Sequence, residues 1–324
     1  MRKPSFLLLI FLLIAKLQAI DWESKSLNEI LRFKKEDKLL IINADDAGMC
    51  YSVNSAILDA MKKGLVTSAS VMVPCPWFPQ IVKAYKENPQ LDLGVHITLT
   101  SEWENYRWGP ISGRDKVPSL VDEQGYLWRT TPLFYQHATL EDAEREARAQ
   151  IERALAMGID VTHLDSHMWT LQYNLKFFWL YVKLAKEFDL PVRMDPPERA
   201  RYLGGGDLHR LLRKEGILCP DTFIICQMLP GESLEEFYKR ILRNLQPGVT
   251  EIMIHPSLET EEIKAIIPQN GWQGRLTEYQ VFTENEEIKK IIIEEGIKLI
   301  GYRALRDAQR RLHKESEKVK TNVK

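Results

Sequence analysis

Leu39-Leu40-Ile41-Ile42-Asn43-Ala44-Asp45-Asp46-Ala47-Gly48 is the stretch on which the fold turns. Four consecutive apolar residues read as a strand buried on both faces, the kind found in parallel sheets. The run meets two adjacent carboxylates and a glycine suited to a tight turn. In α/β folds ligands bind outside the carboxyl ends of the strands, so chemistry is expected at Asp45 and Asp46. Like charges resist being held together in a dry site. A bound cation accounts for the pair, as does a split in which one Asp holds a metal and the other acts as a base. A turn whose Asp side chains cap the next helix accounts for it equally well.

Upstream, residues 21–38 are charged and mixed and read as a short helix or arm. Before them, Arg2 and Lys3 precede an apolar run from Phe6 to Ala15, and Leu17-Gln18-Ala19 resembles a small-residue cleavage site. That is the layout of a secretory signal peptide. The run is shorter than the ~20 residues a membrane span needs. Cleavage after Ala19 is expected, leaving a periplasmic or secreted protein without a stable membrane span.

Downstream, strands and helices alternate. Val53, Ile57, Leu58 and Met61 recur at helical spacing and end at Lys63-Gly64, where glycine favours the C-terminal position. Further strands are expected at Val66–Val73, Asp92–Leu99, Val161–His167, Pro191–Asp195, Thr222–Leu229, Glu251–Pro256 and Ile297–Tyr302. Helices are expected at Phe78–Glu87, Leu140–Met157, Leu175–Phe188, Leu234–Leu245 and Asn285–Glu295, with a short one after Gly204-Gly205-Gly206. Those three glycines lack the setting and lysine of a phosphate loop and read as a hinge or loop. Trp272 and Tyr279 are placed in a loop. The irregular stretch Thr100–Pro132 is rich in Trp, Tyr, Gly and Pro, and long irregular segments in compact domains usually serve function. Its Trp103, Tyr106, Trp108, Tyr126 and Trp128 are candidates to stack on a sugar or to pack the segment down.

Eight strands alternating with helices imply an α/β fold of right-handed βαβ units, most simply a distorted TIM-like (β/α) barrel of parallel strands. No linker divides the 324 residues, so one barrel domain is expected over residues 20–307, followed by a basic, polar, frayed tail at 308–324. A formal net charge of −1 supplies no basic excess for a nucleic-acid partner. Cys50, Cys75, Cys219 and Cys226 show no zinc-ribbon spacing and read as buried free thiols, their disulfide status left open.

The chain has seven histidines, and His96, His163, His167 and His255 fall at or near expected strand ends. On one barrel those ends converge on one face, and a metal site explains the convergence better than four unrelated structural histidines. One carboxylate with two imidazoles leaves an open coordination position, as in a catalytic centre. His163 and His167 would lie about 13 Å apart on one strand. His167, nearer the carboxyl end, is therefore taken as the ligand, with His163 and Asp165 supporting it.

Asn43-Ala44-Asp45-Asp46-x-Gly48, Gly94-x-His96, Thr162-His163-Leu164-Asp165-Ser166-His167 and His255-Pro256 resemble, in order and spacing, the YdjC/ChbG family of carbohydrate deacetylases. The likeness runs from about Leu39 to Arg303. It implies a distorted (β/α) barrel, a divalent metal and removal of acetyl groups from N-acetylated mono- or oligosaccharides. It further implies that Asp46, His96 and His167 hold the metal, Asp45 is the base and His255 the acid. Met168-Trp169-Thr170-Leu171 stands where family members carry further histidines, so Trp169 joins Trp103, Trp108 and Trp128 as a candidate substrate contact. Ala47 stands where the family commonly has Phe. Arg193 is expected to pair with Asp45 and tune it, or else to form a structural ion pair. The mixed N,O ligand set suits Zn²⁺ without excluding Mg²⁺. The alternatives are a glycoside hydrolase using Asp45 with Asp165, a non-catalytic sugar-binding protein, and a hydrolase of esters or phosphates. A homo-oligomer is compatible with everything above.

Overall fold

The computed structural model describes residues 25–195, 208–267 and 269–322. The expected signal peptide and the Gly204-Gly205-Gly206 loop lie outside the described residues. A Ser26–Glu29 capping box starts α1 (Leu27–Ile30). The decisive stretch forms β1 (Lys38–Ala47), buried along almost its whole length. Then follow α2 (Tyr51–Lys63), β2 (Ser68–Val71), α3 (Phe78–Glu87) and β3 (Leu93–Ile97). After the irregular segment come α4 (Thr131–His137), α5 (Leu140–Ala156), β4 (Leu164–Ser166) and α6 (Leu175–Phe188). The last part holds α7 (Leu208–Lys214), β5 (Thr222–Ile224), α8 (Leu234–Arg243), β6 (Gly248–Ile254), α9 (Glu261–Ile266), α10 (Gly271–Thr283), α11 (Glu286–Glu294), β7 (Lys298–Leu299) and α12 (Tyr302–Asn322).

All strand pairings in this set are parallel, in the order β4-β3-β2-β1-β6-β5. β6 takes one edge of β1 from Lys38 to Ala44. The other edge is shared, β7 pairing with Leu39 and Leu40 and β2 with Asn43 to Ala47. The sheet curls into a half-barrel rather than a closed one. Alternation along the central strands grades the interior from apolar to polar. In β1, Leu39 and Ile41 face a lower apolar cluster, and Asn43 and Asp45 follow on the same side. In β6, Val249 belongs to that cluster while Glu251 and Met253, and His255 just past the strand, follow above it. Helices α1 and α12 plug the lower end with Leu27, Ile30, Leu305, Ala308 and Leu312.

Four expectations are corrected. The strand at Pro191–Asp195 reduces to a single bridge between Val192 and Leu164. Pro191 has no N–H to give and β4 is only three residues long, so a ladder cannot propagate. The Val192 N–H instead reaches the Leu218 carbonyl at 3.0 Å, spanning the seam toward β5. Trp272 and Tyr279 lie on helix α10, not in a loop. As far as Asn322 the expected frayed tail instead continues α12, whose Leu305, Ala308 and Leu312 are buried at three- and four-residue spacing. Cys50, Cys75 and Cys219 are buried thiols as expected, but Cys226 is exposed, and all four are free.

The irregular segment is tied down by α5. Buried Glu146 accepts the N–H groups of Ile111 and Ser112 at 3.0 and 2.9 Å, and Asp142 accepts that of Ser119 at 3.0 Å. Gln150 pairs both ways with the backbone of Thr98. A long connection without a ladder thus has its backbone groups satisfied by buried side chains.

Gly94 explains its own position. A Cβ there would stand 2.3 Å from the His163 ring, which is itself stacked on Tyr302 at 3.8 Å between centroids. Gly94→Ala is expected to cost roughly 1–3 kcal/mol, the usual penalty of overpacking, read as a lowered urea midpoint. Asp92 is buried beneath the Arg303 N–H, and burial pushes its carboxyl up to about 6 against hydrogen bonds from Thr162 and that N–H. The folded state therefore holds this proton more tightly than the unfolded chain. Its contribution to stability is full below about pH 4 and is lost as pH rises through about 6. Urea melts across that range should fall less steeply for Asp92→Asn than for the parent.

Candidate metal centre

Neighbours on a strand point to opposite faces, so Asp45 and Asp46 should diverge. They do not, because β1 carries a bulge: Ala44 pairs with Ala69 and Ala47 with Val71, leaving one extra residue between them. Asp46 takes the left-handed conformation at φ 68°, and Gly48 follows at φ 98°. The φ of Asp46 is a strained choice for a residue with a Cβ, and such strain gathers at functional sites. As a result Asp45 Oδ2 and Asp46 Oδ1 lie 4.0 and 3.6 Å from the same atom, His96 Nε2.

His96 comes from β3 and His167 from the turn that closes β4. Their inner nitrogens, His96 Nε2 and His167 Nδ1, stand 3.2 Å apart, and each is 3.6 Å from Asp46 Oδ1. That oxygen is buried and has no hydrogen-bond partner among the described residues. Two nitrogens and an orphaned carboxylate oxygen converging on one point match the donor set of a divalent cation. The outer nitrogens are gripped by carboxylates. His96 Nδ1 meets Asp165 Oδ1 at 2.5 Å, these two residues being direct partners in the β3–β4 register. His167 Nε2 meets both oxygens of Glu102 at 3.1 and 3.0 Å. Burial opposes a charged imidazole at both positions, but Glu102 and Asp46 lift His167 to about 10, and Asp165 and Asp45 lift His96. Asp46 would likewise be raised by burial, yet Arg275, His167 and His255 hold it well below the usual carboxylate range.

Arg193 sits beneath, almost wholly buried. Its Nη1 and Nη2 hold Asp45 as a fork at 2.6 and 2.7 Å, and Nε and Nη2 reach Glu251 at 2.9 and 2.7 Å. Nη1 also lies 2.9 Å from Asp165. The expected Arg193–Asp45 pair is therefore present, within a larger cluster. Asn43 and Ser70 donate to Asp45 Oδ1 as well, leaving Oδ2 toward the imidazoles. His163 is placed apart from the converging donors. It is fully buried on Tyr302, and burial holds its pKa down at about 3, so it stays neutral.

Above this floor opens a cavity of about 300 Å³ whose walls include Trp103, Trp169, Met168 and His255. His255 is one-third exposed, with Nε2 4.0 Å from Asp45 Oδ2. Of the four tryptophans proposed to meet substrate, two line the cavity. The other two are corrected: Trp108 is buried with its Nε1 on the Thr100 carbonyl, and Trp128 stacks on His137 and bonds the Ser119 carbonyl. Both anchor the irregular segment. Tyr106 likewise bonds the Met49 carbonyl.

Four participants were not anticipated. Glu102 follows β3 in a stretch read for its aromatics alone. Glu251 is an acidic residue in a strand expected to be core. Arg275 donates to Asp46 Oδ2 at 2.7 Å, and Glu278 accepts the His255 N–H at 2.7 Å. The last two lie three apart on α10, a spacing that would have put them on one helical face had the helix been recognised. Asp45, Asp46, Asp165, Glu251 and Glu102 thus surround two guanidiniums and the raised imidazoles of His96 and His167.

Residues 39–292 match the model of the family described as YdjC-like protein. A carbohydrate deacetylase of Thermoanaerobacter pseudethanolicus is 30% identical over 269 residues, covering 83% of this chain and all of that one. One from Brevibacillus brevis is 33% identical over 82% of this chain and 99% of its own. A crystal structure of an Enterococcus faecalis V583 protein, proposed to cleave cellobiose phosphate, superposes with TM-score 0.72 at 31% identity, covering 83% of this chain and 99% of that one.

Removing Arg193 leaves three buried carboxylates without their cation. Arg193→Ala is expected to cost roughly 3–5 kcal/mol in a denaturant melt. Arg193→Lys should recover only part of this, because an ammonium cannot fork onto Asp45.

Proposed function

Because the chain belongs to the YdjC-like protein family, we propose that it is a metal-dependent carbohydrate deacetylase, removing acetyl groups from N-acetylated sugars. The observation that carries the metal reading is the orphaned Asp46 Oδ1 facing His96 Nε2 and His167 Nδ1. These three residues would hold a divalent ion, with zinc favoured by the imidazole-rich set. The chemistry such an ion supplies when bound is Lewis acidity toward the acyl oxygen and the attacking water.

The chain's own residues do the rest. Asp45, fixed by the Arg193 fork, presents Oδ2 to take the water proton as the water oxygen bonds to the acyl carbon. His255, whose Nε2 lies 4.0 Å from Asp45 Oδ2, gives a proton to the amine nitrogen as the C–N bond breaks, releasing acetate and the free amine. Its backbone N–H is held by Glu278, which steadies the residue. Trp103 has a buried indole N–H with no acceptor among the described residues, a donor left for a sugar hydroxyl or acetamido oxygen. Trp169 offers an apolar face beside it. Asp165 is unsuited to be the second carboxylate of a glycoside hydrolase: it is fully buried and held by His96 and Arg193. A signal peptide at residues 1–19 would place this activity outside the cytoplasm.

Acetate release from a panel of N- and O-acetylated sugars tests the proposal. Activity should disappear in Asp46→Ala and in the parent treated with chelator, and return with added metal; acetate that persists in both excludes this mechanism. Ligation needs a neutral imidazole, whereas His167 with a pKa near 10 carries its proton at neutral pH in the metal-free protein. Zinc uptake should therefore release about one proton at pH 7 and tighten as pH rises toward 9. Calorimetry in buffers of different ionisation heat measures both.

A further inference from the structure

Glu102 is assigned no role by the motifs or by the family match, yet both of its oxygens sit within hydrogen-bond distance of His167 Nε2. A neutral imidazole carries one proton, and a carboxylate can only accept. With Glu102 on Nε2, the proton belongs there and the lone pair of Nδ1 points at Asp46 and His96. Asp165 performs the matching service for His96, but from a different origin. His96 and Asp165 are neighbours in a buried ladder that would hold them in any case. His167 has no ladder: it stands in a turn whose next two residues, Met168 and Trp169, take φ of 51° and 57°. Its ring meets only edges, those of His96 and Trp108 at 5.1 and 6.2 Å between centroids. The His167 carbonyl accepts from the Thr170 N–H and hydroxyl, bonds that fix the turn but not the direction of the ring.

We propose that Glu102 is the positioning residue of His167, setting its tautomer and direction, and that the aromatic segment from residue 100 onward is thereby part of the metal centre. The inference rests on the metal reading above. Glu102 is itself placed by its neighbours: the Ser101 N–H bonds the Trp128 carbonyl, and Ser101 Oγ accepts the Trp108 N–H. The two tryptophans that do not reach the cavity accordingly serve the site through Glu102. Trp103, next in sequence, lines the cavity, so a sugar seated against it touches the same short segment that aims a metal ligand.

The test uses the full mature chain with cobalt(II) as the probe, read by its visible absorption and by competition with a chelator. Glu102→Ala should weaken cobalt binding about tenfold to a hundredfold, the usual loss when a partner of a ligating His is removed, and should alter the absorption bands. Glu102→Gln keeps an acceptor oxygen of the same reach and should fall between Glu102→Ala and the parent. Thermal melts of the metal-free proteins check that both variants fold. If Glu102→Ala does not fold, Glu102→Gln decides alone: weakened binding supports the proposal and parental binding overturns it. Parental affinity and an unchanged spectrum in a folded Glu102→Ala also overturn it. A parent chain that binds no cobalt overturns the metal reading and this inference together, and that outcome is seen in the parent alone.

Discussion

One buried guanidinium holds this structure's site together. Arg193 lies on the seam where the sheet fails to close, reaching Asp45 on β1, Asp165 on β4 and Glu251 on β6. Desolvating four charges is expensive, and mutual attraction compensates only when geometry is good and the remaining donors and acceptors are used. Here they are used: every nitrogen of the guanidinium has a carboxylate partner, and its face lies over the Phe223 ring. Glu251 is in turn bonded by the Tyr302 hydroxyl at 2.5 Å, at the start of the helix that plugs the lower end. Tyr302 also stacks on His163, which fills the room left by Gly94. The terminal helix is thereby connected, through side chains alone, to the carboxylate proposed as the base.

Charge organises the upper half of the barrel just as apolar contact organises the lower half. The same alternation that buries Leu39 and Ile41 delivers Asn43 and Asp45 one step higher. Along β6 and just past its end it carries Val249 into the lower cluster and Glu251, Met253 and His255 toward the cavity. A site placed at this level is anchored by the strands yet open to ligands at their carboxyl ends. Its carboxylates are met by two guanidiniums and by the imidazoles of His96 and His167.

Elements with a strong period were legible in the chain. α3, stopped before Pro89, and α6 begin and end where they were expected. α10 was not legible, because Gly271 and Gly274 weaken its propensity and its apolar residues are not gathered on one face. It is held on α8 by Phe282 against Tyr238, on α2 by the Tyr279–Asp59 hydrogen bond, and at the site by Arg275 and Glu278. α12 was read as a tail because its surface is overwhelmingly polar; the few apolar residues that plug the barrel are sparse along it. Trp108 and Trp128 have the composition of sugar-stacking residues, and composition does not say whether an aromatic ring faces a cavity or a neighbouring carbonyl.

The sequence by itself determined the parallel α/β architecture and the clustering of Asp45, Asp46, His96, His167 and His255 at strand ends. Periodicity and the order of strands are properties of a linear chain, and both were sufficient for that. The tertiary structure alone decided that adjacent Asp45 and Asp46 share a centre, since a bulge and a left-handed residue undo the alternation the chain implies. It alone brought in Glu102, Glu251 and Arg275, which come from separate parts of the chain and meet only across the folded barrel. Hydrogen bonds and ion pairs act over a few ångströms of space, and sequence separation carries no record of which distant residues will meet.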